Sequence, residues 1–428
     1  MDEPKVKRGV RARIDGMRTR VSSYGPGRKV LVLVAIALLV FTPVLVLEKT
    51  IITNGVGSDN TAPDLWIYRA RTDTIIHGGL LYTDVRTETP PLICYIMVPA
   101  QLLGGAYDDL VYRAYFMLFG LLGGILLYIG LRKYGEKAAF AMAAMYVVMP
   151  FGLIEAANAE DETIVALTII IPALLMLGHR NNWVSVATGL GIWTKMWAIL
   201  LLPVQLIHLG TWKERFLHLG IIAAITVAVA GPFYYLCGDD FLWFIRYYTI
   251  GVQGRTAEGA GIFYFLKAGG LEVPKQIELA IVAVAICAAI WIMYRRKLGV
   301  WESITIMLVA FFVTYPKMHT GYWLMPITFL LAWGAEDMRI AGRCFLLYIP
   351  WMIAVGFAPG GSGSAVFTFD GSWMLGLVFA LITSAMMIET TYQAMKRRPF
   401  VSREKEPGDG RTGNERQGVV RKGKEVRT

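Results

Sequence analysis

The chain has 428 residues, of which 55% are hydrophobic and only 17% are charged. This composition excludes an ordinary soluble protein, because several apolar segments are long enough to cross a bilayer. The apolar runs are continuous rather than alternating, which excludes a closed β-barrel and predicts an all-α, polytopic transmembrane helical bundle.

The net charge of +10 belongs to the two ends of the chain. Residues 1–29 hold nine Lys and Arg against three acids, and residues 395–428 hold eleven against five. Basic tails beside apolar helices fit the positive-inside rule and contact with anionic membrane lipids better than they fit a nucleic-acid partner. We therefore predict a basic cytoplasmic tail over 1–29, a membrane domain over 30–391 and a basic, disordered cytoplasmic tail over 392–428.

Apolar composition predicts membrane spans in ten segments, several of them shorter than the roughly 20 residues of an average spanning helix. In chain order these segments are Val30–Leu47, Leu110–Gly130, Ala138–Leu153, Ile164–Leu177, Leu217–Tyr235, Leu279–Met293, Ser303–Thr314, Tyr322–Trp333, Phe345–Phe357 and Met374–Ile388. The segment "PPLICYIMVPAQLLGG" (90–105) is ambiguous. We predict an interfacial helix here, within a first extracytoplasmic loop over 48–109, because this keeps the basic "LRKYGEK" (131–137) inside.

The segment Val184–Leu209 is also ambiguous, because Lys195 lies near its middle. A single spanning helix would bury this lysine at the bilayer centre, at a cost on the order of 3 kcal/mol or more. A hairpin of two short helices instead places Lys195 at an outer tip and leaves the later basic loops inside. The prediction is therefore about twelve spans, with both termini cytoplasmic and the polar groups gathered at the outer face.

The stretch "PDLWIY" (63–68) places Asp64 at the start of a predicted amphipathic helix, followed closely by Trp66 and Tyr68. Asp64 has two interpretations. It caps this helix, as acids before a helix commonly do, or it is a general base at the membrane surface. The spacing leaves both open.

A second acidic stretch, "ANAEDETI" (157–164), puts Glu160, Asp161 and Glu162 at the start of a span. The helix dipole favours acids at this position, which is the simpler interpretation. The alternative is that one of them orients a sugar hydroxyl or a cation. No Asp-x-Asp or histidine pairing accompanies them, so we expect no metal.

Cationic side chains recur at the predicted outer turns. Lys195 suits a phosphate, with snorkelling to the interface as the alternative. The turn "YPKMHTGYW" (315–323) adds Lys317 and His319, which either bind a phosphate or form a simple polar turn. Arg255 lies in an aromatic-rich outer loop that covers a site or rests on the membrane.

The sequence contains no Walker loop, dinucleotide fingerprint, nucleophile elbow or zinc spacing. A reaction on the outer face would therefore proceed without a cytoplasmic nucleotide donor or another cofactor. An activated substrate would have to arrive attached to a lipid.

Several pieces, taken in this order, resemble the GT-C superfamily of polyprenyl-phosphate-sugar glycosyltransferases, most closely the polyprenyl-phosphate-mannose-dependent α-mannosyltransferase branch (glycosyltransferase family 87). The pieces are "DLWIY", "GGLLYTDVRTETPPLICYIMVPAQLLG", "YRAYFMLFGLLGGILLYIGLRKYG", "NAEDETIVALTIIIPALLML", "ATGLGIWTKMWAILLLP" and "YPKMHTGYWLMPI". Together they cover most of residues 60–335. The resemblance implies a cell-membrane enzyme that moves a mannose-like hexose from a polyprenyl-phosphate carrier to a lipid, glycan or protein acceptor on the extracytoplasmic face.

The resemblance also implies roles for individual residues. Asp64 becomes the catalytic base of an inverting transfer, with Asp73 as the competing candidate because Asp64 lacks the second acid common in the family's first loop. The residues implied at the donor phosphate are Lys195, Lys317 and His319. Separately, we predict Tyr68, Glu160, Asp161 and Arg255 as substrate-binding residues. Two other classes stay open at this point: a transporter or flippase of similar span count, and a non-catalytic membrane scaffold.

Overall fold

The computed structural model describes residues 23–47, 64–104, 108–249, 259–358 and 372–403. Within these ranges the chain is helical apart from turns and two isolated backbone bridges, Leu81–Val85 and Gly259–Met318. Seven helical segments are long and apolar enough to cross a membrane. The predicted all-α polytopic membrane fold is confirmed.

The described α-helices follow one another as α1 to α18. They are α1 (Pro26–Leu47), α2 (Leu65–Ile76), α3 (Pro91–Gly104), α4 (Asp108–Leu131), α5 (Glu136–Val147), α6 (Pro150–Ala157), α7 (Glu162–Leu177), α8 (Asn181–Thr194), α9 (Leu201–His208), α10 (Trp212–Cys237), α11 (Asp239–Thr249), α12 (Ile262–Ala268), α13 (Lys275–Arg296), α14 (Val300–Thr314), α15 (Leu324–Gly334), α16 (Met338–Leu346), α17 (Tyr348–Gly356) and α18 (Trp373–Met395). Short 3₁₀ turns cover Met196–Leu200, Thr320–Trp323 and Phe400–Ser402.

One end of the bundle gathers the basic connections, and we call it the basic end. Here Lys29 of α1 donates to Glu136 at the start of α5, with Nζ 2.8 Å from Oε1. Trp333 near the end of α15 donates to the backbone carbonyl of Arg397, 2.7 Å away. The connections at this end are residues 132–135, 178–180, 209–211, 297–299, 335–337 and 396–399.

The opposite end bears α2, α3, α11 and α12, and we call it the loop end. Cys237 closes α10 there, and its thiol donates to the carbonyl of Leu81 at 3.3 Å. α3 runs beside the half of α4 that is nearer the loop end. A hydrogen bond from Tyr115 Oη to the carbonyl of Ile96, 2.7 Å long, joins the two helices. At 14 residues α3 is short for a span, and it packs against α4 as a loop helix.

The segment 181–208 is a hairpin whose tip is Lys195. Lys195 has an extended backbone (φ −153°, ψ 132°) between α8 and the 3₁₀ turn that leads into α9. Gln205 Nε2 donates to Thr188 Oγ1 at 2.7 Å, which joins the two arms midway. The tip therefore lies at the loop end, and both arms return to the basic end.

Short helices complete the bundle beside the seven long segments. Five further passes between the two ends are made by α7, α8, the 196–208 segment, α14 and the 320–334 segment. With the seven long segments they account for the roughly twelve spans that the sequence predicts. Helices of 11 to 16 residues are too short for bare lipid, and they are accommodated because they pack inside the bundle.

Two predicted spans are broken helices. Ala138–Leu153 is divided between α5 and α6, because Pro150 cannot donate a backbone hydrogen bond and instead occupies the first turn of a new helix. Phe345–Phe357 is divided between α16 and α17, since in an unbroken helix the ring of Pro350 would clash with the carbonyl four residues earlier. Apolar composition alone does not show such breaks.

The two predicted tails are partly folded. α1 already includes Lys29, which is only 2% exposed. α18 continues to Met395, and Phe400 beyond it is 3% exposed, so the prediction of a disordered tail over 392–428 is wrong for residues 392–403. Residues 1–22 and 404–428 lie outside the described residues.

Candidate active site

Asp64 precedes α2 at the loop end and does not cap it. The backbone carbonyl of Asp64 accepts from the Tyr68 N–H at 3.0 Å, whereas the carboxylate makes no capping hydrogen bond. Tyr68 is buried and its ring meets Phe116 of α4 edge-on at 5.9 Å, while Trp66 is 68% exposed. The helix-cap interpretation of Asp64 is therefore wrong, and Tyr68 is one of the residues that pack this helix against α4.

Charged groups from four distant parts of the chain act on the Asp64 carboxyl. Burial raises its pKa, and the negative charges of Asp161 and Glu88 raise it further. The cations Lys195 and Lys317 lower the same pKa. Because such interactions weaken with distance, these four side chains lie near Asp64 at the loop end.

Lys195 and Asp161 form an ion pair inside the protein. The ammonium nitrogen lies 2.9 Å and 3.1 Å from the two carboxylate oxygens. The Asp161 side chain is 4% exposed and that of Lys195 is 13% exposed. Lys195 is therefore directed into the protein rather than snorkelling to the interface, and Asp161 holds it there.

Glu160 lies in the turn before α7, beside Asp64. Burial raises the pKa of Glu160 well above its ordinary value, and the charges of Asp64 and Glu162 act in the same direction. The neighbouring Ala159 has a left-handed backbone (φ +64°), which forms the tight turn. The protonated form of Glu160 is favoured, and in that form it can donate a hydrogen bond.

The acids near Asp64 act on one another electrostatically but are not grouped as metal ligands among the described residues. In the described ranges, His, Cys, Asp and Glu side chains nowhere form a group of three or more that could hold a metal ion. The acids around Asp64 are instead balanced by lysines. The site is therefore an arrangement of carboxyl and ammonium groups.

Lys317 and His319 lie in the turn after α14, and both are half-buried. The turn is fastened to the segment before α12, because the Ala260 N–H donates to the carbonyl of Met318 at 3.0 Å. The His319 ring meets Tyr322 edge-on at 5.2 Å. The structure thus brings Lys317 to the same acid cluster as Lys195, with His319 two residues away on a fixed turn.

We expect Gly259→Ala to destabilise the protein by about 2 kcal/mol or more. Gly259 has φ +78°, and an added Cβ would overlap the backbone carbonyl of Met318. Gly270→Ala is the matched control, because φ is +84° there and nothing lies near the added Cβ. It should cost only the backbone strain, about 1 kcal/mol. Thermal unfolding of both variants measures the difference, and equal losses would contradict a close contact at Met318.

Asp73 lies apart from this cluster. It is exposed on α2, nine residues and roughly 13 Å after Asp64. Its Oδ1 accepts from Gln101 Nε2 at 2.9 Å. Of the two candidate bases, Asp64 is therefore the one surrounded by charged groups. Arg255 lies outside the described residues.

Sequence reasoning missed Arg71 and Glu88. Arg71 has a side chain that is 3% exposed, and its Nη2 lies 2.5 Å from Glu88 Oε2. Burial alone would raise the pKa of Glu88, but the charge of Arg71 and its hydrogen bond lower it. Glu88 stays ionised beside the cluster. In the sequence, the only indication of Glu88 was its position as an acid in "RTETPP" (86–91), within the same first loop as Asp64.

The chain is similar to known mannosyltransferases in two comparisons. Residues 88–235 match the family model described as dolichyl-phosphate-mannose-protein mannosyltransferase. The chain also matches GPI mannosyltransferase 1 of Eremothecium gossypii, with 25% identity over 305 residues that cover 68% of this chain and 76% of that protein. The first match spans α3 to α10, which includes Asp161 and Lys195.

These comparisons and the helical membrane fold support a GT-C type, mannosyltransferase-like membrane glycosyltransferase. The narrower resemblance to glycosyltransferase family 87 stays a prediction.

Proposed function

We propose that this chain transfers a mannose-like hexose from a polyprenyl-phosphate carrier to an acceptor hydroxyl, with inversion at the sugar and Asp64 as the general base. The central observation is the placement of Asp64. Its carboxyl has a raised pKa and lies within electrostatic reach of Lys195 and Lys317 at one end of a membrane bundle. A base beside cations at the membrane surface is what a lipid-phosphate leaving group requires.

In the proposed reaction the acceptor oxygen forms a bond to the anomeric carbon, and the bond from that carbon to the phosphate oxygen breaks. Asp64 takes the proton of the acceptor hydroxyl. The bonding electron pair leaves with the lipid phosphate. Lys195, Lys317 and His319 stabilise the charge that develops there.

The remaining site residues have supporting roles in this proposal. Protonated Glu160 donates a hydrogen bond to a sugar hydroxyl, and Tyr68 holds the helix that presents Asp64. Asp161 orients Lys195 through both carboxylate oxygens. Arg255 is retained as a candidate contact to the substrates.

The proposed transfer is tested with purified full-length protein and a panel of polyprenyl-phosphate sugars. Release of lipid phosphate together with a glycosylated acceptor supports it, and mannose is expected to be the preferred sugar. A transporter or flippase would move the lipid-linked sugar across a proteoliposome membrane without releasing lipid phosphate. That outcome would replace the proposal with the transporter interpretation.

We further propose that the loop end is extracytoplasmic and the basic end cytoplasmic, in the cell membrane. In a cysteine-free background, a membrane-impermeant thiol reagent should label Thr83→Cys from outside intact cells. Lys133→Cys should stay unlabelled. Both positions are exposed at opposite ends of the bundle. Labelling of Lys133→Cys but not of Thr83→Cys would show that the protein has the opposite orientation in the membrane.

The pH dependence of transfer should report the environment of Asp64. The base works only when ionised, and burial raises its pKa, so kcat/KM should begin to fall at a higher pH than an ordinary aspartate would produce. Asp161→Asn removes a negative charge that raises the pKa of Asp64. It also frees Lys195 from its ion pair, and the positive charge of Lys195 lowers the pKa of Asp64. The acidic limb of the normalised profile should therefore move to lower pH. Asp73→Asn is the control, and an equal shift in both variants would contradict the proximity of Asp161.

A further inference from the structure

The buried face of α2 connects Asp64 with Arg71. Asp64 already has helical backbone angles (φ −91°, ψ −12°), and Tyr68 and Arg71 follow it at the spacing that keeps side chains on one helix face. Tyr68 and Arg71 are buried, so this is the face that α2 turns toward the protein. Arg71 lies about 10 Å further along the helix axis than Asp64. Long side chains on a helix lean toward its N-terminus, which carries the guanidinium back toward Asp64.

Glu88 lies in a segment that is fixed on both sides of it. Thr87 Oγ1 donates to the carbonyl of Val85 at 3.0 Å, and Tyr82 Oη donates to the carbonyl of Thr89 at 2.9 Å. Thr87 and Thr89 are buried, whereas Glu88 between them is partly exposed. The Glu88 carboxylate is therefore presented from a rigid and otherwise buried stretch of the first loop.

Arg71 holds the Glu88 carboxylate in place. Its Nη2 lies 2.5 Å from Glu88 Oε2, and its Nη1 donates to Thr89 Oγ1 at 3.3 Å. The Arg71 side chain is 3% exposed, whereas that of Glu88 is 31% exposed. A carboxylate can accept about four hydrogen bonds. Arg71 and the backbone N–H of Glu88 use only part of this capacity, so Glu88 can still accept hydrogen bonds on its accessible side.

Glu88 lies within electrostatic reach of both ends of the proposed reaction. It acts on the Asp64 carboxyl, and Lys195 acts on Glu88. In an inverting transfer the base and the leaving group are on opposite faces of the sugar. The line from Asp64 to the lipid phosphate at Lys195 therefore passes through the anomeric carbon, and the sugar ring projects sideways from it. A carboxylate that is near both ends lies beside this line, next to the ring hydroxyls.

We propose that Glu88 is a specificity-determining residue that accepts hydrogen bonds from hydroxyl groups of the transferred hexose, and that Arg71 is its positioning residue. The identity of the donor rests on the proposed transfer. Hydroxyl groups donate strongly to an ionised carboxylate. Arg71 balances the charge of Glu88, so this carboxylate can lie near the lipid phosphate without repelling it.

The test compares the full lipid-linked hexose with a set of donors that each lack one of its hydroxyl groups. Binding of every donor to purified full-length protein is measured by native mass spectrometry, and transfer is measured by release of lipid phosphate. The wild type should bind one of the deoxy donors roughly 10–100-fold more weakly than the full donor, the loss typical of a hydrogen bond to a charged group. Binding needs no general base, so this ratio is measured whether or not Asp64 performs the transfer.

Two variants assign this ratio to Glu88. Glu88→Gln keeps an acceptor and removes the charge, so the ratio should fall to about 3–10-fold, because neutral hydrogen bonds have about half the strength. Arg71→Met/Glu88→Leu removes the whole pair, a change that is often nearly neutral for stability, and should bring the ratio near one. Each ratio compares two donors on the same preparation, so a smaller folded fraction in a variant cancels.

Asp84→Asn is the matched control. Asp84 is an exposed acid four residues earlier in the same loop, and its Oδ2 accepts from the Leu80 N–H at 2.7 Å, which an asparagine oxygen can also do. Its replacement should leave every donor ratio unchanged. If Asp84→Asn lowers the same ratio as Glu88→Gln, the effect comes from the general charge of the loop, and the proposal is wrong.

The remaining outcomes separate this proposal from the proposed transfer. If the Glu88 variants weaken every donor by the same factor, the pair only holds the first loop, and the role of Glu88 in sugar recognition is contradicted. Unchanged donor ratios with a raised KM for the acceptor would place Glu88 at the acceptor and also contradict it. In both cases the transfer itself stands. If the wild type binds the lipid-linked hexose no better than bare polyprenyl phosphate, both proposals fail together.

Discussion

Asp64→Asn is expected to lower the rate of sugar transfer by on the order of 10²–10⁴-fold, because asparagine has the size of aspartate and cannot accept a proton at neutral pH. Binding of the donor should be largely kept. Since the carboxylate makes no capping hydrogen bond, the fold should not lose even the roughly 1 kcal/mol of a typical cap. Single-turnover rates, donor affinity and thermal unfolding of the same preparation measure the three quantities.

Asp73→Asn is the matched control for Asp64. Asp73 is exposed on the same helix and accepts a hydrogen bond from Gln101. Its replacement should leave transfer near normal. A collapse in Asp73→Asn with normal transfer by Asp64→Asn would move the base to Asp73. Normal transfer by both variants would contradict the proposed general-base mechanism.

Lys195→Met is expected to destabilise the protein by about 3–5 kcal/mol, because it leaves the buried carboxylate of Asp161 without its partner. Considered from the sequence alone, this change should leave the protein folded and even more stable, since a lone membrane lysine is costly. The contact with Asp161 reverses the expected sign. Transfer should also fall, because the leaving phosphate loses a cation. Thermal unfolding and donor affinity measure the two effects.

The double variant Lys195→Met/Asp161→Asn distinguishes a structural lysine from a functional one. Removing both charges should restore most of the lost stability, since replacing a whole buried pair is often nearly neutral. Transfer should stay low, because no cation returns to the donor phosphate. If transfer recovers together with stability, Lys195 only holds the fold. If the single and double variants are equally unstable, the unpaired carboxylate of Asp161 is not the cause of the loss.

The class of protein and the path of the chain could be predicted from the sequence. Continuous apolar runs require backbone hydrogen bonds to be made within each segment, so only helices are possible in a membrane. The cost of burying Lys195 and the placement of basic loops predict a hairpin within Val184–Leu209, and the structure places it over 181–208. These features depend on composition and on neighbours along the chain, which a sequence displays directly.

The location of Asp64 at the loop end was also predictable, but its role as a cap or a base was not. Both interpretations use the same residue at the same helix start, and they differ only in what the carboxylate contacts. In the structure the Asp64 carboxylate makes no capping hydrogen bond. It is influenced instead by charges in the turn before α7, at the hairpin tip after α8 and in the turn after α14.

Only the tertiary structure decided which charged groups meet. Asp161 and Lys195 are 34 residues apart and share two hydrogen bonds, and Arg71 reaches Glu88 across 17 residues. A cavity of about 140 Å³ likewise brings His179, His208 and His218 together from three separate parts of the chain. The sequence showed each charge and each histidine separately. Their partners depend on how helices of similar apolar composition pack, and that choice is made by side-chain contacts between segments distant in the chain.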